Sequence, residues 1–205
     1  MNRVDPIKDK QKIFAIKNYI KSDDYIQDSI YKEFYQARDY TLFVWGINTA
    51  CRVSDLLSLK IKDVMNSQGN IGKYLYLKPS KTKKKAGNEL KIYINDSMKK
   101  SLEKYIKQEN CLDPDDYLFK TKTGNKLDRI RVHGLIKKWA KAVGIEQDRI
   151  SAHSLRKTWG YMAWKQGVSI QIISQKLGHN SEKVTRRYIG VDQEAVNDIE
   201  KLICL

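Results

Sequence analysis

Apolar side chains recur at helical spacing along the first part of the chain. Ile13, Ile16 and Ile20 lie three or four residues apart with lysines on the other side, which predicts an amphipathic helix. Residues 31–49 predict a longer helix, and Arg52 begins a shorter one. Three leucines of this shorter helix are expected to face inward: Leu56, Leu57 and Leu59.

The spacing then changes to the alternation of a β-strand. Residues Lys73–Leu77 and Glu89–Ile94 alternate apolar and polar positions, which predicts two strands after a turn at Asn66–Asn70. Between them lies the polar loop PSKTKKKAGN, closed by Gly87–Asn88. We therefore expect the two strands to pair as an antiparallel hairpin.

Helical spacing returns after the hairpin. One helix is predicted from Asp96 to the break at Asp113–Asp115. Gly124–Asn125 turns the chain into a second, amphipathic helix that ends at Gly144 as its C-cap.

The last part of the chain contains three further helical segments. Ser151 or Ser154 can cap a helix that Gly167 ends, and a short helix follows through Leu177. The terminal segment carries an apolar stripe: Val196, Ile199, Leu202 and Ile203.

Together these elements predict an α+β fold that is mainly α-helical, with a small antiparallel sheet packed against helices. No internal repeat, low-complexity tract or Pro/Gly linker divides the sequence. We expect a single domain over residues 1–205, with an N-terminal helical segment over 1–30 and a C-terminal helix over 192–205.

The composition favours a polyanionic partner. Lys and Arg number 39 against 24 Asp and Glu, which gives a net charge of +15 and a pI near 9.6. Nucleic acid is the first candidate and a membrane surface the second. No apolar run approaches the ~20 residues that a spanning helix requires, so we expect no membrane partner.

The cysteines and the N-terminus predict a cytoplasmic protein. Cys51, Cys111 and Cys204 are isolated and odd in number, which is typical of reduced thiols rather than of a disulfide framework. The first residues, MNRVDPIKDK, lack the apolar core of a secretory signal.

Two arginines, two histidines and a tyrosine are the residues with the most chemical content: Arg52, His153, Arg156, His179 and Tyr188. An arginine pair is a natural clamp for phosphate oxygens, and a phenol can attack phosphorus. Each residue also has a plain structural interpretation. Arg52 can pair with Asp55 one turn later, the H-x-x-R pair can be a cap and a surface charge, and His179 lies at a helix–loop junction.

The lysines of the hairpin loop have two interpretations. Lys81, Lys83, Lys84 and Lys85 can be a solvated run that contacts DNA backbone nonspecifically. Alternatively, one lysine beside a scissile phosphate could protonate the leaving oxygen, because neighbouring cations lower its pKa. Composition alone does not choose among the four.

A metal site formed by the three histidines is a weak hypothesis. His133, His153 and His179 have no carboxylate or cysteine at ligand spacing beside them.

Taken jointly, these motifs resemble the tyrosine recombinase (phage integrase) family from about residue 35 to residue 190. GINTACRVSDLLSLKIKDV is similar to the family's first box, with Arg52 as its arginine and Asp55 at the acidic position. PSKTKKK resembles the hairpin lysine loop, and its S-K-T pattern indicates Lys81. SAHSLRKTWG and LGHNSEKVTRRYIG resemble the second box and the nucleophile segment.

The resemblance implies a catalytic domain that cuts and rejoins DNA without a metal, ATP or another cofactor. Arg52 and Arg156 would bind the scissile phosphate, and His153 and His179 would add hydrogen bonds, with His153 a proton acceptor. Tyr188 would form a 3′-phosphotyrosyl intermediate, and Lys81 would protonate the 5′ oxygen. The remaining basic residues would contact DNA: Lys83, Lys84, Lys85, Arg186 and Arg187.

The resemblance also implies partners. The substrate would be double-stranded DNA, and strand exchange through a Holliday junction would require four protomers on two duplexes. The C-terminal stripe could pack on its own domain or on a neighbouring protomer, and we favour the neighbour. The resemblance leaves open whether accessory DNA-bending proteins also take part.

Two departures from the family pattern affect this interpretation. Cys51 follows Ala50 where many members carry a glycine before an apolar residue, which is a packing change. Only about thirty residues precede the first-box region, so a separate N-terminal core-binding domain is expected to be absent, as in short invertases. Two alternatives therefore stay open: an accessory DNA-binding protein of this fold that cuts poorly, and a topoisomerase of type IB character.

Overall fold

The computed structural model describes residues 4–27, 29–79, 89–109, 113–191, 196–197 and 200–203. Its helices are α1 (Lys10–Lys21), α2 (Lys32–Asn48), α3 (Val53–Leu56), α4 (Ile61–Val64), α5 (Asp96–Ile106), α6 (Arg129–Ala142), α7 (Ala152–Lys165), α8 (Ile170–Leu177) and α9 (Glu182–Ile189). The strands are β1 (Tyr74–Leu77) and β2 (Leu90–Tyr93), and two short 3₁₀ turns lie at Asp23–Tyr25 and Gln147–Arg149.

Helix α2 forms the centre of the fold. It packs against α1, α5 and α7, and its consecutive residues Leu42–Trp45 are completely buried. Four consecutive buried positions cover every side of a helix, so other parts of the chain surround α2 at this point. The indole of Trp45 donates to the carbonyl of Met98 on α5 at 3.2 Å, so its polar atom is satisfied inside the core.

A charged pair lies inside this core and was not predicted. Arg38 and Asp39 of α2 are each 1% exposed, and the Arg38 Nε donates to the Asp39 carboxylate at 2.8 Å. The hydroxyl of Tyr25 donates to the same carboxylate at 2.6 Å, and Arg38 also donates to the carbonyl of Lys120 at 3.2 Å. Because each charged group has partners, the network links α2 to two other parts of the chain without an unpaired buried charge.

The predicted hairpin is confirmed. Strands β1 and β2 pair antiparallel, with Tyr74 opposite Tyr93 and Leu77 opposite Leu90. Leu75 and Ile92 face the core, whereas Tyr93 faces outward. The strands are slightly shorter than predicted, and the lysine loop between them lies outside the described residues.

The prediction of one helix from Asp96 to the break at Asp113 was wrong in its length. Asn95 caps α5 by accepting from the backbone of Met98, and the helix ends at Ile106. The residues after Ile106, Lys107–Glu109, are not apolar and form a turn, so a further helical turn has nothing to bury there.

The helix predicted after Gly124 also differs in its bounds, because it starts later than predicted. The amphipathic helix begins only at Arg129, because the Asp128 side chain caps it by accepting from the backbone of Arg131. The chain before it forms two isolated bridges: Tyr117 pairs with Lys60, and Lys120 pairs with Lys126 within the same stretch.

Helices α7, α8 and α9 meet in a second, smaller apolar cluster. Its buried members are Ala50, Tyr161, Ile170, Ile173, Leu177, Ile189 and Val191. Gly160 of α7 allows a close approach, since a Cβ there would lie 2.7 Å from Ile189 of α9. The cluster thereby fixes α9 on α7.

Three apolar residues of the predicted C-terminal stripe are exposed. Val196, Leu202 and Ile203 are 46%, 84% and 61% exposed. Ile199 lies outside the residues described. Among the described helices, none combines the length and the apolar character required to cross a membrane.

Replacing Gly160 by Ala should destabilise the fold. The added Cβ would meet Ile189 at 2.7 Å and Leu177 at 3.4 Å. Overpacking outweighs the better helix propensity of Ala, so we expect a net loss of about 1–2 kcal/mol in the free energy of unfolding. Urea denaturation of both proteins measures this difference in the free energy of unfolding.

The matched control for this substitution is Gly134→Ala on α6. No atom lies within 4 Å of a Cβ at this position, so the same change should raise stability by up to about 1 kcal/mol. Equal stabilisation by both substitutions would show that α9 does not pack tightly on α7.

Candidate active site

The first arginine of the site lies at a sharp change of direction in the chain. Helix α2 ends at Asn48, and Ala50 adopts a left-handed conformation with φ of +58°. This conformation costs an L-residue about 1–2 kcal/mol, so the surrounding packing must hold it. Arg52 then occupies the N-cap position of α3, and its Nη1 lies 3.9 Å from the carboxylate of Asp55.

The ion pair leaves the guanidinium of Arg52 accessible. The side chain of Asp55 is 2% exposed, whereas that of Arg52 is 28% exposed. A buried carboxylate behind an accessible guanidinium can orient it towards an incoming anion. The ion pair with Asp55 and a role of Arg52 in binding phosphate are therefore compatible.

The second arginine is buried. Ser151 and Ser154 form a capping box at the start of α7, and Arg156 follows in the first turns, 5% exposed. It donates to the carbonyl of Leu177 at the end of α8. Burial lowers the pKa of Arg156 and the charge of Arg52 lowers it further, whereas the phenol of Tyr188 acts in the opposite direction.

The histidine of the L-G-H motif has a defined tautomer. Gly178 ends α8 in the left-handed conformation, and His179 Nδ1 then lies 3.0 Å from the hydroxyl of Thr185. That hydroxyl donates to the carbonyl of Ser181 at 3.2 Å, so the histidine must donate through Nδ1. Nε2 is then the acceptor nitrogen of the neutral ring.

The tyrosine lies between these groups on α9. The rings of Tyr188 and His179 meet edge to face with centroids 4.8 Å apart. Burial raises the pKa of Tyr188, while the charges of Arg156 and Arg52 and a hydrogen bond from Arg156 lower it in part. The phenol therefore stays protonated at neutral pH and must lose its proton to act as a nucleophile.

The structure thus brings together four of the predicted residues with Asp55 behind them: Arg52, Arg156, His179 and Tyr188. His153 is exposed at the start of α7, one turn before Arg156. Arg186 is half-buried and Arg187 is exposed on α9. Four predicted lysines lie outside the described residues: Lys81, Lys83, Lys84 and Lys85.

Three polar residues of the site were missed. Lys157 is buried with its Nζ 5.0 Å from the centre of the Tyr188 ring, and Thr185 fixes His179. Lys176 of α8 is half-buried, and burial lowers its pKa. A lysine next to Arg156 gives no signal in sequence, because such positions are usually solvated.

The described cysteine is a buried free thiol, as predicted. Burial raises the pKa of Cys51, which favours an unreactive thiol. Cys111 and Cys204 lie outside the described residues. Within the described ranges, no three His, Cys, Asp or Glu side chains are grouped so that they could hold a metal ion.

Comparison with known proteins gives one consistent result. The sequence model described as the phage integrase family matches residues 19–195. A probable integrase/recombinase of Bacillus subtilis strain 168, YoeC, is 34% identical over 203 residues, which cover 98% of each chain.

Solved structures share the fold. The crystal structure of XerA recombinase has a TM-score of 0.71 at 22% identity and covers 97% of this chain. The XerH site-specific recombinase, bound to a palindromic difH substrate in a post-cleavage complex, has a TM-score of 0.68 at 18% identity over 97% of this chain. The present chain spans 64% and 53% of those two chains.

The histidine beside the two arginines should titrate below the ordinary range. Burial lowers the pKa of His179, and the charges of Arg156 and Arg52 lower it further. Replacing Arg52 by Gln removes a positive charge, which makes protonation easier, so this pKa should rise. A pH titration of the histidine Cε1–H signals by NMR measures it, with His179→Gln to assign the signal.

The control for this titration is Arg129→Gln, which removes the same charge from an exposed position on α6. It should leave the pKa of His179 unchanged. A His179 signal that titrates at or above 6.5 in the unaltered protein would contradict the described geometry.

Proposed function

Because the chain belongs to the phage integrase family of tyrosine recombinases, we propose that it is a site-specific DNA recombinase that acts through a 3′-phosphotyrosyl intermediate at Tyr188. The observation that carries this proposal is the convergence of two arginine charges on one phenol. Arg52 and Arg156 both act on the ionisation of Tyr188, and Arg156 donates a hydrogen bond to it.

The electrostatics of the site favour an anion with one charge. Two guanidinium groups close together repel each other, and the burial of Arg156 strengthens this repulsion. The carboxylate of Asp55 contacts Arg52 and offsets only part of it. A phosphodiester that bridges both arginines supplies the missing negative charge in a bidentate geometry.

In the proposed step, the phenol oxygen of Tyr188 attacks phosphorus as the bond to the 5′ oxygen breaks. The phenol proton passes to His153 or to solvent, and Lys81 supplies a proton to the leaving 5′ oxygen. The arginines stabilise the extra charge of the pentacoordinate transition state. The phosphotyrosyl bond keeps the energy of the broken ester, so a 5′-hydroxyl of another strand can reverse the reaction.

A role for His179 follows from its tautomer. In the free protein its Nδ1 is engaged with Thr185 and Nε2 is an acceptor. A phosphate between the arginines favours protonation of the ring, since an opposite charge raises a histidine pKa. Nε2 then becomes a donor to a phosphate oxygen.

The rest of the DNA contact is proposed from charge. The chain carries +15, and Arg186 and Arg187 directly precede Tyr188 on α9. We propose that they contact backbone phosphates with Lys83, Lys84 and Lys85, which makes binding strongly dependent on salt. Assembly of four protomers on two duplexes stays a prediction from the resemblance.

Replacing Tyr188 by Phe should abolish covalent capture of DNA while binding persists. The protein is incubated with a pool of nicked duplexes that carry randomised sequence around the nick, so that a cleaved strand diffuses away and the adduct accumulates. Adducts stable in detergent are counted and their DNA is sequenced, which also reveals the preferred site. Loss of the nucleophilic oxygen should remove every adduct.

Tyr161→Phe is the matched control, because Tyr161 belongs to the same apolar cluster and the change likewise removes one hydroxyl. It should form adducts at the unaltered rate. Adducts from the Tyr188→Phe protein would show that another residue is the nucleophile. DNA binding without adducts from the unaltered protein would favour an accessory DNA-binding role instead.

Replacing Lys81 by Ala should slow cleavage of ordinary DNA but not of DNA with a bridging 5′ sulfur. A thiolate leaves without a proton, so this substrate bypasses the general acid. Removal of one general acid is expected to cost about 10²–10⁴ in rate. Lys83→Ala, Lys84→Ala and Lys85→Ala are the controls, and rescue of one of these instead would assign the role to that lysine.

A further inference from the structure

The N-terminal arm, Val4–Asp9, links the two helices that carry Arg156 and Tyr188. The backbone N–H of Ile7 donates to the hydroxyl of Thr158 on α7 at 2.8 Å. The Nζ of Lys8 donates to the carbonyl of Gly190, the C-cap of α9, at 3.0 Å. The arm therefore contacts both α7 and the end of α9.

A third contact of the arm reaches the tyrosine through a lysine. Lys157 of α7 is 7% exposed, and its Nζ donates to the carbonyl of Val4 at 2.6 Å. The same Nζ lies 5.0 Å from the centre of the Tyr188 ring. A buried ammonium group is costly unless it has acceptors, and here the carbonyl and the negative face of the ring both attract it.

We propose that Lys157, held by the carbonyl of Val4, is a positioning residue that fixes the ring of Tyr188 and stabilises its phenolate. The proposal rests on the proposed function of Tyr188 as nucleophile. Arg156 and His179 contact the same tyrosine, and Lys157 adds a further cation at the ring.

The charge of Lys157 has a consequence beyond packing. Burial makes Tyr188 harder to ionise, and the groups that favour the phenolate are Arg156 of α7 and Arg52 before α3. His179, after α8, is the remaining titratable group in contact with the ring. A positive charge near an acid lowers its pKa, so Lys157 acts in the same direction as the arginines. A lysine that only tethers the arm would not affect ionisation.

The first test measures ionisation of Tyr188 in the free protein. The twelve tyrosines are replaced biosynthetically by 3-fluorotyrosine. The ¹⁹F signal that is absent from the spectrum of the Tyr188→Phe variant is then assigned to Tyr188. Lys157→Gln keeps an N–H donor for Val4 but has no charge. Its Tyr188 signal should titrate about one pH unit higher than in the otherwise unaltered protein, whereas Lys157→Arg should restore the original value.

Lys165→Gln is the matched control, because Lys165 lies on the same helix, is exposed, and places its Nζ 5.1 Å from the Trp164 ring. It should leave the Tyr188 titration unchanged. An unchanged titration in Lys157→Gln would overturn the proposal. If Lys157→Gln does not fold, Lys157→Arg decides, and an altered titration in that variant would equally overturn it.

The second test measures single-turnover adduct formation on nicked duplexes recovered from the randomised pool. Lys157→Gln should react about tenfold more slowly at neutral pH, with its pH–rate profile displaced to higher pH and DNA affinity equal to that of Lys165→Gln. Equal rates in Lys157→Gln and Lys165→Gln would overturn the positioning role of Lys157 but not the proposed function of Tyr188. Absence of adducts in the unaltered protein would instead remove the proposed function, while the fluorotyrosine titration still reports on Lys157.

Discussion

The site depends on holding two like charges together against their repulsion. Arg52 is accessible and Arg156 is buried, and the positive charge of Arg52 makes the charged form of Arg156 less favourable in the absence of an anion. The fold sustains this arrangement through local partners: the carboxylate of Asp55 contacts the first, and the carbonyl of Leu177 accepts from the second. Since these partners do not neutralise both arginines, the remaining positive potential is available for a phosphate, and it is directed at Tyr188.

The architecture divides this task between two apolar clusters. The large cluster around α2 encloses the Arg38–Asp39 network, and its packing holds the end of α2 that leads to Arg52. The smaller cluster holds α8 and α9 on α7 and so places His179 and Tyr188. The left-handed Ala50 belongs to the smaller cluster and lies two residues before Arg52. The packing of the smaller cluster therefore determines where Tyr188 lies relative to the two arginines.

Much of this organisation could be predicted from the sequence, for identifiable reasons. Apolar periodicity located the long helices and the hairpin, because one-sided burial imposes it. The resemblance of the motifs around Arg52, Arg156, His179 and Tyr188 to those of the tyrosine recombinase family indicated which residues converge. The length of the helix at Asp96 was wrong, because its end depends on what the following residues can bury. Lys157 and the Arg38–Asp39 pair were missed, because a charged residue gives no sign in sequence that its neighbours will enclose it.

In the proposed reaction, one phenol becomes covalently joined to DNA at this site. Digestion of the trapped protein–DNA complex with protease and nuclease, followed by tandem mass spectrometry, identifies both the residue and the end of the DNA that are linked. We expect a nucleotide attached through its 3′ phosphate to Tyr188. A link to any other side chain, or one through a 5′ phosphate, would contradict it.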